Sequence, residues 1–352
     1  MALQLNSSLL DPSVAVRYPR LRVLANGDFV PGAFEAEVLN NSHFAADRFR
    51  LGLALSADPT RGAAWWADQD DVLIDIAVSL GGDYVNLLHG GADSVEIDLL
   101  GDAVRLTGRD LSAELIEARA QGTFANQTSS DVATTLAGRH GLSADVQATT
   151  TPVGRYWELE HDSLVLDGFA RATTEWDLLV TLAQYEGFSV WVQGTTLHFR
   201  ATVPSVLPTV LQMAELSALH LERSLTLAQG IEVTVKSWHS RAAQCYVQTA
   251  SANQASGAGG TSQSYVYIAP NLTPDVALKL AQQRLAELTQ HERVIVAEMP
   301  GELSLAPGQQ ILLQGTGTAF DRTYSIDSVE RRLDVSRGFT QQMRARNAST
   351  AT

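Results

Sequence analysis

Alternation of apolar and polar residues dominates the first hundred positions of the chain. It is clear at residues 20–24 and 34–38, which flank the pair Asn26-Gly27. Side chains of a strand point alternately to the two faces of a sheet, so this period of two predicts half-buried strands. Asn-Gly between two such runs predicts a tight hairpin, because both turn positions need positive φ. The chain is therefore expected to open with antiparallel strand pairs.

Further runs of the same kind continue up to Gly108. They lie at residues 49–55, 72–78, 95–99 and 104–107. Short strands at even spacing, with Gly or Asp between them, favour an antiparallel sandwich or barrel over a parallel α/β sheet. Residues 1–108 are therefore predicted to form one all-β domain.

After Gly108 the apolar period changes from two to about three and a half, which predicts helices. A short helix is expected at 111–118. A second opens at 129–131 and ends at a glycine cap, and a third begins with the capping-box pattern of 174–177. The fold class therefore changes from β to α+β at this point.

The last two predicted helices belong to a sequence repeat. Residues 136–146 and 182–192 share Leu-Ala, Gly, Ser and Val at identical offsets. Each unit comprises a helix, a glycine cap (Gly141 or Gly187) and a strand. These units predict a small α+β domain at 109–202.

A second β region is predicted at 203–352, after a linker marked by Pro204. Residues 250–263 are mostly small and polar, which predicts a mobile loop. Thr273-Pro274-Asp275 then supplies an N-cap, a proline at the first helical position and an acid in the first turn. We expect a helix at 274–290 that packs its apolar stripe on a sheet, with strands again after it.

Composition limits the functions of a chain with this order of domains, in which an α+β domain lies between two β domains. Acidic residues outnumber basic ones 39 to 25, and the resulting charge of -14 repels phosphate. A protein that grips DNA is therefore not expected, whereas a surface that DNA slides past is compatible with this charge. The single cysteine, Cys245, excludes an intrachain disulfide and is expected to be buried. Neither a signal peptide nor a membrane-spanning run occurs, so export and membrane insertion are not expected.

A search for catalytic or cofactor chemistry finds no motif. His291-Glu292 lacks the second histidine of a zinc-protease helix, no Gly-x-Ser-x-Gly elbow occurs, and 256–260 lacks the lysine of a phosphate loop. Neighbouring carboxylates, a pair of which a glycosidase would need, are better explained as solvated charge in a chain this acidic. These are Asp70 with Asp71, and Glu158 with Glu160 and Asp162. No catalytic, metal or cofactor-binding residue is assigned, and the chain is not expected to be an enzyme.

Two adjacent tryptophans, Trp65 and Trp66, fall in a predicted loop between strands. Side chains of adjacent residues there can hardly both point inward. Either one of them caps the core or one reaches a partner subunit, and both alternatives stay open. The pair is the candidate partner contact of this chain.

A series of turn-and-strand motifs spans most of the sequence. They lie at residues 106–111, 124–132, 140–142, 300–301, 305–308, 324–329 and 337–340. In their joint order they resemble the late control D family of phage tail hub proteins, the gp27-like baseplate hubs. A phage tail and a domesticated tail-like particle are both compatible with these motifs.

The resemblance implies a fold of two tail-tube-like antiparallel β-barrels, at 1–108 and 203–352, with a LysM-like middle domain outside them. It implies a homotrimer whose pseudo-sixfold ring joins the tail tube to the central spike and lets DNA or cargo pass. An acidic lumen would account for the charge. Other baseplate or distal tail proteins are further expected partners, and the expected location is the virion tail, assembled in the host bacterial cytoplasm.

The alternative function is a cell-wall enzyme or sugar-binding protein. Its middle domain would be the binding module and the acidic groups its catalysts. Binding and turnover assays on peptidoglycan separate the two functions, because a structural hub predicts no hydrolysis.

Overall fold

A computed structural model of the chain describes residues 18–42, 44–120, 124, 127–150, 152–153, 173–201, 208–225, 227, 230–239, 243–252, 263–269 and 272–348. The predicted mobile loop at 250–263 falls mostly outside these residues. Glu158, Glu160 and Asp162 fall outside them as well, and so does Pro204.

Strands make up about half of the described residues. In chain order they are β1 (Arg20–Ala25), β2 (Asp28–Phe29), β3 (Ala33–Asn41), β4 (Arg48–Ala54), β5 (Leu73–Ser79), β6 (Val85–Asp98), β7 (Ala103–Asp110), β8 (Gln127–Thr128), β9 (Ser143–Val146), β10 (Pro152–Val153), β11 (Ser189–Gln193), β12 (Thr196–Arg200), β13 (Thr209–Gln212), β14 (Ala218–Arg223), β15 (Ile231–His239), β16 (Gln244–Ser251), β17 (Gln263–Ile268), β18 (Arg293–Pro300), β19 (Gln310–Gln314), β20 (Thr323–Asp334) and β21 (Gly338–Asn347).

Helices are fewer and lie mainly between the two β regions. They are α1 (Ala63–Ala67), α2 (Ser112–Glu117), α3 (Ser129–Arg139), α4 (Glu175–Glu186) and α5 (Pro274–Thr289). Short 3-10 turns lie at Leu55–Ala57, Met213–Glu215 and Gln290–Glu292. The chain is therefore mainly β, as predicted.

The two β regions have the same strand order. In the first β half, hydrogen bonding follows β1, β5, β6, β7, β4 and β3. In the second β half it follows β13, β19, β20, β21, β18 and β14. The correspondence follows chain order within each half: β1 corresponds to β13, β3 to β14, β4 to β18, β5 to β19, β6 to β20 and β7 to β21. The exception is direction, because β1 runs antiparallel to β5 whereas β13 runs parallel to β19.

The halves are joined edge to edge in one continuous sheet. The long strand β20 pairs with β19 near its start and with β3 along its later part. Among the described residues neither half closes into the expected barrel, because the terminal strands of each order, β1 with β3 and β13 with β14, form no ladder with each other. The predicted pair of barrels is therefore corrected to one open sheet shared by both halves.

Alternation along the strands places the apolar residues of each half on one face. Val38, Leu51 and Leu106 meet in the core of the first half, and Ile295 and Met343 in the core of the second. Burial of such side chains stabilises the fold by about 1.5 to 3 kcal/mol each.

The turn between β1 and β2 has the backbone that the sequence predicts. Asn26 and Gly27 adopt φ of 52° and 86°. Positive φ at both positions matches the right-handed twist of the flanking strands. The predicted hairpin is therefore confirmed, although β2 is only two residues long.

The middle region contains the predicted helix and strand repeat. Both α3 and α4 begin with a capping box, and they are followed by Gly141 and Gly187 at φ of 65° and 76°. The strands of the two units, β9 and β11, flank β12 in one three-stranded sheet. Leu136, Leu182 and Phe199 are buried where the helices cover this sheet.

A separate three-stranded sheet follows β14, with β15 between β16 and β17. Helix α5 covers one of its faces, burying Ala277 and Ala281 with Val233 and Val235. The predicted packing of this helix on a sheet is confirmed. Thr273 holds the N-cap position with extended backbone, but its side chain accepts no capping hydrogen bond.

Candidate functional site

The junction between the two β halves is an antiparallel ladder between β20 and β3. It pairs Ser328 with Asn41 at one end and Asp334 with Glu35 at the other. On the core side of the ladder Val329 and Val38 are almost completely buried, at 0% and 1% exposure. Backbone hydrogen bonds and apolar contact together hold the halves in one sheet.

A buried arginine, Arg331, lies at the centre of this junction. Its Nε donates to the carbonyl oxygen of Glu302 at 2.9 Å, and Nη1 donates to Oδ1 of Asn40 at 3.0 Å. Nη2 donates to the carbonyl oxygen of Leu305. Burial lowers the pKa of Arg331 to about 10, since desolvation disfavours its charged form. One side chain thus connects β20, β3 and the segment before β19.

One carboxyl group of the first β half, Asp47, lies close to this arginine, and a second, Asp110, lies close to Asp47. Asp47 accepts from Nδ2 of Asn40 at 2.6 Å and from the backbone N–H of Asn41 at 2.7 Å. Burial, with the neighbouring charge of Asp110, raises the pKa of Asp47 to about 7. Burial also raises the pKa of Asp110 to about 6. Both groups exchange protons in the neutral range, and the sequence search did not single them out.

The strands that correspond to β3 and β20 each have an edge without a partner strand among the described residues. β14, the counterpart of β3, pairs only with β18 in the described part of the chain. The later part of β6, the counterpart of β20, pairs only with β7 beyond Gly91. Leu221 on β14 is 37% exposed, whereas Val38 on β3 is 1% exposed. Unpaired edges of this kind are templates for another strand.

A sequence repeat marks the two corresponding strands. Residues 93–96 of β6 and 327–330 of β20 are both Asp-Ser-Val-Glu. A bulge falls at the aspartate in each strand, between Ala92 and Ser94 and between Ile326 and Ser328. Sequence reasoning missed this repeat, although the identical tetrapeptide was visible in both strands.

The bulge aspartate forms the same ion pair in both halves. Arg109 Nη2 lies 2.6 Å from Asp93 Oδ1, and Arg346 Nε lies 2.8 Å from Asp327 Oδ1. Arg109 lies on β7 opposite Gly91, and Arg346 lies on β21 opposite Ser325. Each arginine therefore faces the residue two positions before its aspartate. The two halves therefore agree in strand order, bulge, tetrapeptide and ion pair.

The face of the continuous sheet that turns away from the cores is polar. One row across five strands contains Thr340, Arg332, Glu37, Arg50 and Thr107, all exposed or half-buried. Arg332 Nε lies 3.2 Å from Glu37 Oε2. Charges of both signs alternate along this row, so the row itself is not acidic.

The two tryptophans lie in helix α1 and not in the loop that the sequence predicts. Trp66 is 3% exposed and belongs to the core of the first half. Trp65 packs edge-on against it with ring centroids 4.7 Å apart, and the guanidinium carbon of Arg61 lies 5.4 Å from its centroid. Trp66 therefore caps the core, while half-buried Trp65 stays the predicted partner contact.

Cys245 is exposed, which corrects the expectation that it is buried. It lies on β16 opposite Trp238, on the face of the β15–β17 sheet that α5 does not cover. This uncovered face also exposes Val266 and Ile268, by 53% and 84%. The expected burial rested on the residue type, but helix α5 covers only one face of this sheet and Cys245 lies on the other.

The acidic candidates show no arrangement for catalysis among the described residues. Asp70 and Asp71 are both exposed, on the segment that leads into β5. No group of three His, Cys, Asp or Glu residues is placed to hold a metal ion there. In the same described residues, no helix has the length and apolar character to span a membrane.

Solved structures with this fold include tail proteins. A tail protein of Neisseria meningitidis has a TM-score of 0.68 at 16% identity, over 94% of this chain and 96% of its own. The 43 kDa tail protein of prophage MuSo2 from Shewanella oneidensis has a TM-score of 0.67 at 15% identity, over 93% and 96%. The resemblance to tail hub proteins is therefore confirmed, as is the mainly β fold, whereas the closed barrels that it implied are not found among the described residues.

A third similar structure comes from a secretion machine. The E. coli c3393 protein, a component of the type VI secretion system, has a TM-score of 0.57 at 14% identity, over 93% of this chain and 77% of its own. Its structure is described as similar to the T4 phage tail proteins gp27 and gp5. The fold is thus that of tail and baseplate hub proteins.

The family model of the Alg8 N-terminal domain matches residues 92–334, which is more than half of the chain. This chain belongs to the Alg8 N-terminal domain family. The match extends from the bulge of β6 to the last residue of β20, the strands that carry the Asp-Ser-Val-Glu repeat. A comparison with curated proteins finds no match.

Proposed function

We propose that the chain is a structural hub subunit of a phage tail or a related injection machine. The observation that carries this proposal is the duplicated β half, with one strand order used twice and the two copies joined in one sheet. A subunit that contains the same unit twice can present two similar surfaces to a symmetric neighbour. The shared fold with tail proteins supports the same role.

Three copies of such a chain bring six β halves into one ring. A ring of this kind matches a tail tube of sixfold symmetry on one side and a trimeric spike on the other. The partners are then two further copies of the chain, the tube protein, the central spike and other baseplate or distal tail proteins. The role of c3393 in a secretion system supports a place in such a machine.

The polar face of the continuous sheet is the surface that would line the passage. Its row of Arg332, Glu37 and Arg50 alternates in sign and offers no continuous basic track to a phosphate backbone. DNA or protein cargo would therefore pass without binding tightly. Such a role is structural and needs no catalytic residue, cofactor or metal.

The middle domain and Trp65 lie outside this minimal role. A LysM-like function for residues 109–202 and a partner contact at Trp65 stay predictions from the resemblance and the sequence. Peptidoglycan binding by the isolated oligomer is the assay that assigns the first of them.

The test is the mass of the purified protein in solution. Light scattering or native mass spectrometry at high protein concentration, alone and with the spike, is expected to show three copies. A peptidoglycan turnover assay on the same sample is expected to show no hydrolysis. A chain that stays monomeric in every condition, spike included, would contradict the proposed function.

A further inference from the structure

The sheet of β15, β16 and β17 has apolar side chains on both of its faces, but only one face is covered. Helix α5 packs on the covered face. On the uncovered face, four large apolar side chains are between 52% and 84% exposed, namely Trp238, Val247, Val266 and Ile268. Exposed apolar residues that form one patch, in contrast to scattered ones, mark a surface that binds another molecule.

The register of the sheet makes these four side chains neighbours. Val247, Lys236 and Ile268 form one row across the three strands, with Lys236 in the middle. Trp238 lies two residues further along β15, and Val266 lies two residues before Ile268 on β17. The apolar patch therefore surrounds Lys236.

Lys236 is a cation without a counter-charge at the centre of this patch. Its side chain is exposed and forms no ion pair with any residue that the structure describes. Glu232, the acid on the same strand and face, is four residues away, which is roughly 13 Å at about 3.3 Å for each residue. Covering an ammonium group without a counter-charge is unfavourable, so a molecule that covers this patch must bring an anionic group to it.

The uncovered face occurs once in the chain, unlike the β halves. Strands β15–β17 and helix α5 lie between β14 and β18, whereas the corresponding strands β3 and β4 are joined by residues 42–47 alone. A partner at this face therefore binds once per copy. A tube of sixfold symmetry would meet both β halves alike, so the occupant of this face is a different protein.

We propose that the uncovered face is the docking site for an amphipathic helix of a second tail protein, which places a carboxylate of its apolar side opposite Lys236. The proposal rests on the proposed hub function and names one partner contact of that hub. A helix already covers the other face of the same sheet, where α5 brings Ala277 and Ala281 against Val233 and Val235. A nucleic acid backbone would neutralise Lys236 but leave the four apolar side chains uncovered.

Cys245 reports whether this face is occupied. It is the single cysteine of the chain, it is exposed, and it lies on the uncovered face opposite Trp238. A maleimide is expected to label Cys245 in the purified trimer and to leave it unlabelled in intact tails. In a Cys245→Ser background, Lys279→Cys on the exposed side of α5 is the matched control, and it is expected to be labelled in both samples.

The other labelling results overturn the docking site. Labelling of Cys245 in intact tails shows that the face stays empty. Protection of Cys245 in the purified trimer shows that the face belongs to contacts between copies. Protection of both positions in tails shows burial that is not confined to this face.

Amine cross-linking tests the carboxylate. Lys236 and Lys279 are the two lysines of the chain, so few amines compete for the reagent. A carbodiimide, which joins an amine to a carboxylate in contact with it, is expected to link Lys236 in intact tails to an Asp or Glu of another protein. Mass spectrometry of the linked peptides is expected to show apolar residues at helical spacing around that acid. Lys236→Arg keeps the positive charge and is expected to abolish the link while tails still assemble.

Three cross-linking results count against the proposal. A link from Lys236 to another copy of this chain replaces the second protein with a contact between copies. No link from Lys236 in tails that protect Cys245 removes the carboxylate from the contact. Persistence of the link in Lys236→Arg assigns it to a different amine.

Charge reversal tests whether the contact supports assembly. Lys236→Glu places like charges opposite each other and is expected to lower the yield of complete tails at least about tenfold, while the mass of the purified trimer stays unchanged. Lys279→Glu makes the same charge change on α5 and is expected to leave the yield unchanged. Equal yields from the two variants, or loss of the trimer in Lys236→Glu, overturn the docking site.

The outcomes separate the docking site from the hub. Trimers and tails that contain the chain, with Cys245 labelled in both, overturn the docking site and leave the hub function standing. Absence of trimers in every condition overturns the hub function, and the docking contact with it.

Discussion

The two β halves use one strand order, but their edges meet different surroundings. In the first half, β3 is covered by β20, and Val38 is 1% exposed. In the second half, the corresponding strand β14 has an open edge among the described residues, and Leu221 is 37% exposed. The difference shows that one duplicated unit can have a given edge paired in one half and open in the other.

The largest effect on folding stability is expected at Arg331, at the centre of the internal junction. Arg331→Met removes the donors to two carbonyl groups and to Asn40, and removes the positive charge near Asp47. Loss of one partner from such a buried network costs roughly 3 to 5 kcal/mol. Urea unfolding of the variant is expected to show that loss of free energy of unfolding.

The neighbouring Arg332 provides the control for this experiment. Its side chain is 52% exposed and forms surface ion pairs with Glu37 and Glu330. Arg332→Met is expected to cost less than about 1 kcal/mol. Equal destabilisation by the two variants would contradict the assigned role of Arg331.

A pH dependence of stability is expected from the acids beside the internal junction. The folded pKa of Asp47 is raised to about 7 from an ordinary value of 3.8. The folded state then holds a proton that the unfolded state releases, so stability falls as pH rises from about 4 through about 7. Once the pH exceeds about 7, the total loss of stability is on the order of 4 to 5 kcal/mol, at about 1.4 kcal/mol for each pKa unit between 3.8 and about 7.

Asp47→Asn isolates this contribution. Urea midpoints between pH 5 and pH 8 are expected to fall with pH in the parent protein and to fall less in the variant. Asp110, with a pKa of about 6, gives the remaining slope. A variant whose slope equals that of the parent would show that Asp47 is not the group that titrates.

Apolar contact is expected to contribute more to folding stability at the covered edge of β3 than at the open edge of β14. Val38→Ala removes two buried carbons and is expected to cost about 2 kcal/mol of folding stability. Leu221→Ala changes a partly exposed side chain and is expected to cost well under 1 kcal/mol at concentrations where the protein is monomeric. Thermal unfolding of dilute samples compares them, and a reversed order would contradict the assignment of covered and open edges.

The smallest expected difference lies in the two ion pairs at the bulges. The side chains of Arg346 and Asp327 are 11% and 13% exposed, whereas those of Arg109 and Asp93 are 24% and 41% exposed. Asp327→Asn is expected to cost about 1 to 2 kcal/mol and Asp93→Asn under about 1 kcal/mol. Urea unfolding of both variants at neutral pH measures the difference, and a larger effect at Asp93 would contradict it.

Local features of this fold were predictable from the sequence. Asn26-Gly27, the capping box of Thr174 and Asp177, and Pro274 at the start of α5 each act through a few neighbouring residues. The helix and strand repeat of the middle region was predictable for the same reason. The resemblance to tail hub proteins supplied the fold class.

The junction was not predictable, because its ladder joins residues almost three hundred positions apart. Nothing in the local sequence of Arg331 distinguishes it from exposed Arg332 beside it. Asp47 likewise looks like an ordinary turn residue until Asp110 and Asn40 are brought next to it. The Asp-Ser-Val-Glu repeat was the available signal, and it becomes meaningful when the two bulges are seen to coincide.

An electron cryomicroscopy map of the purified oligomer tests the central claim most directly. It is expected to show three chains whose six β halves alternate around one ring. A map with another number of chains, or one in which the β halves do not form a ring, would contradict the proposed hub function.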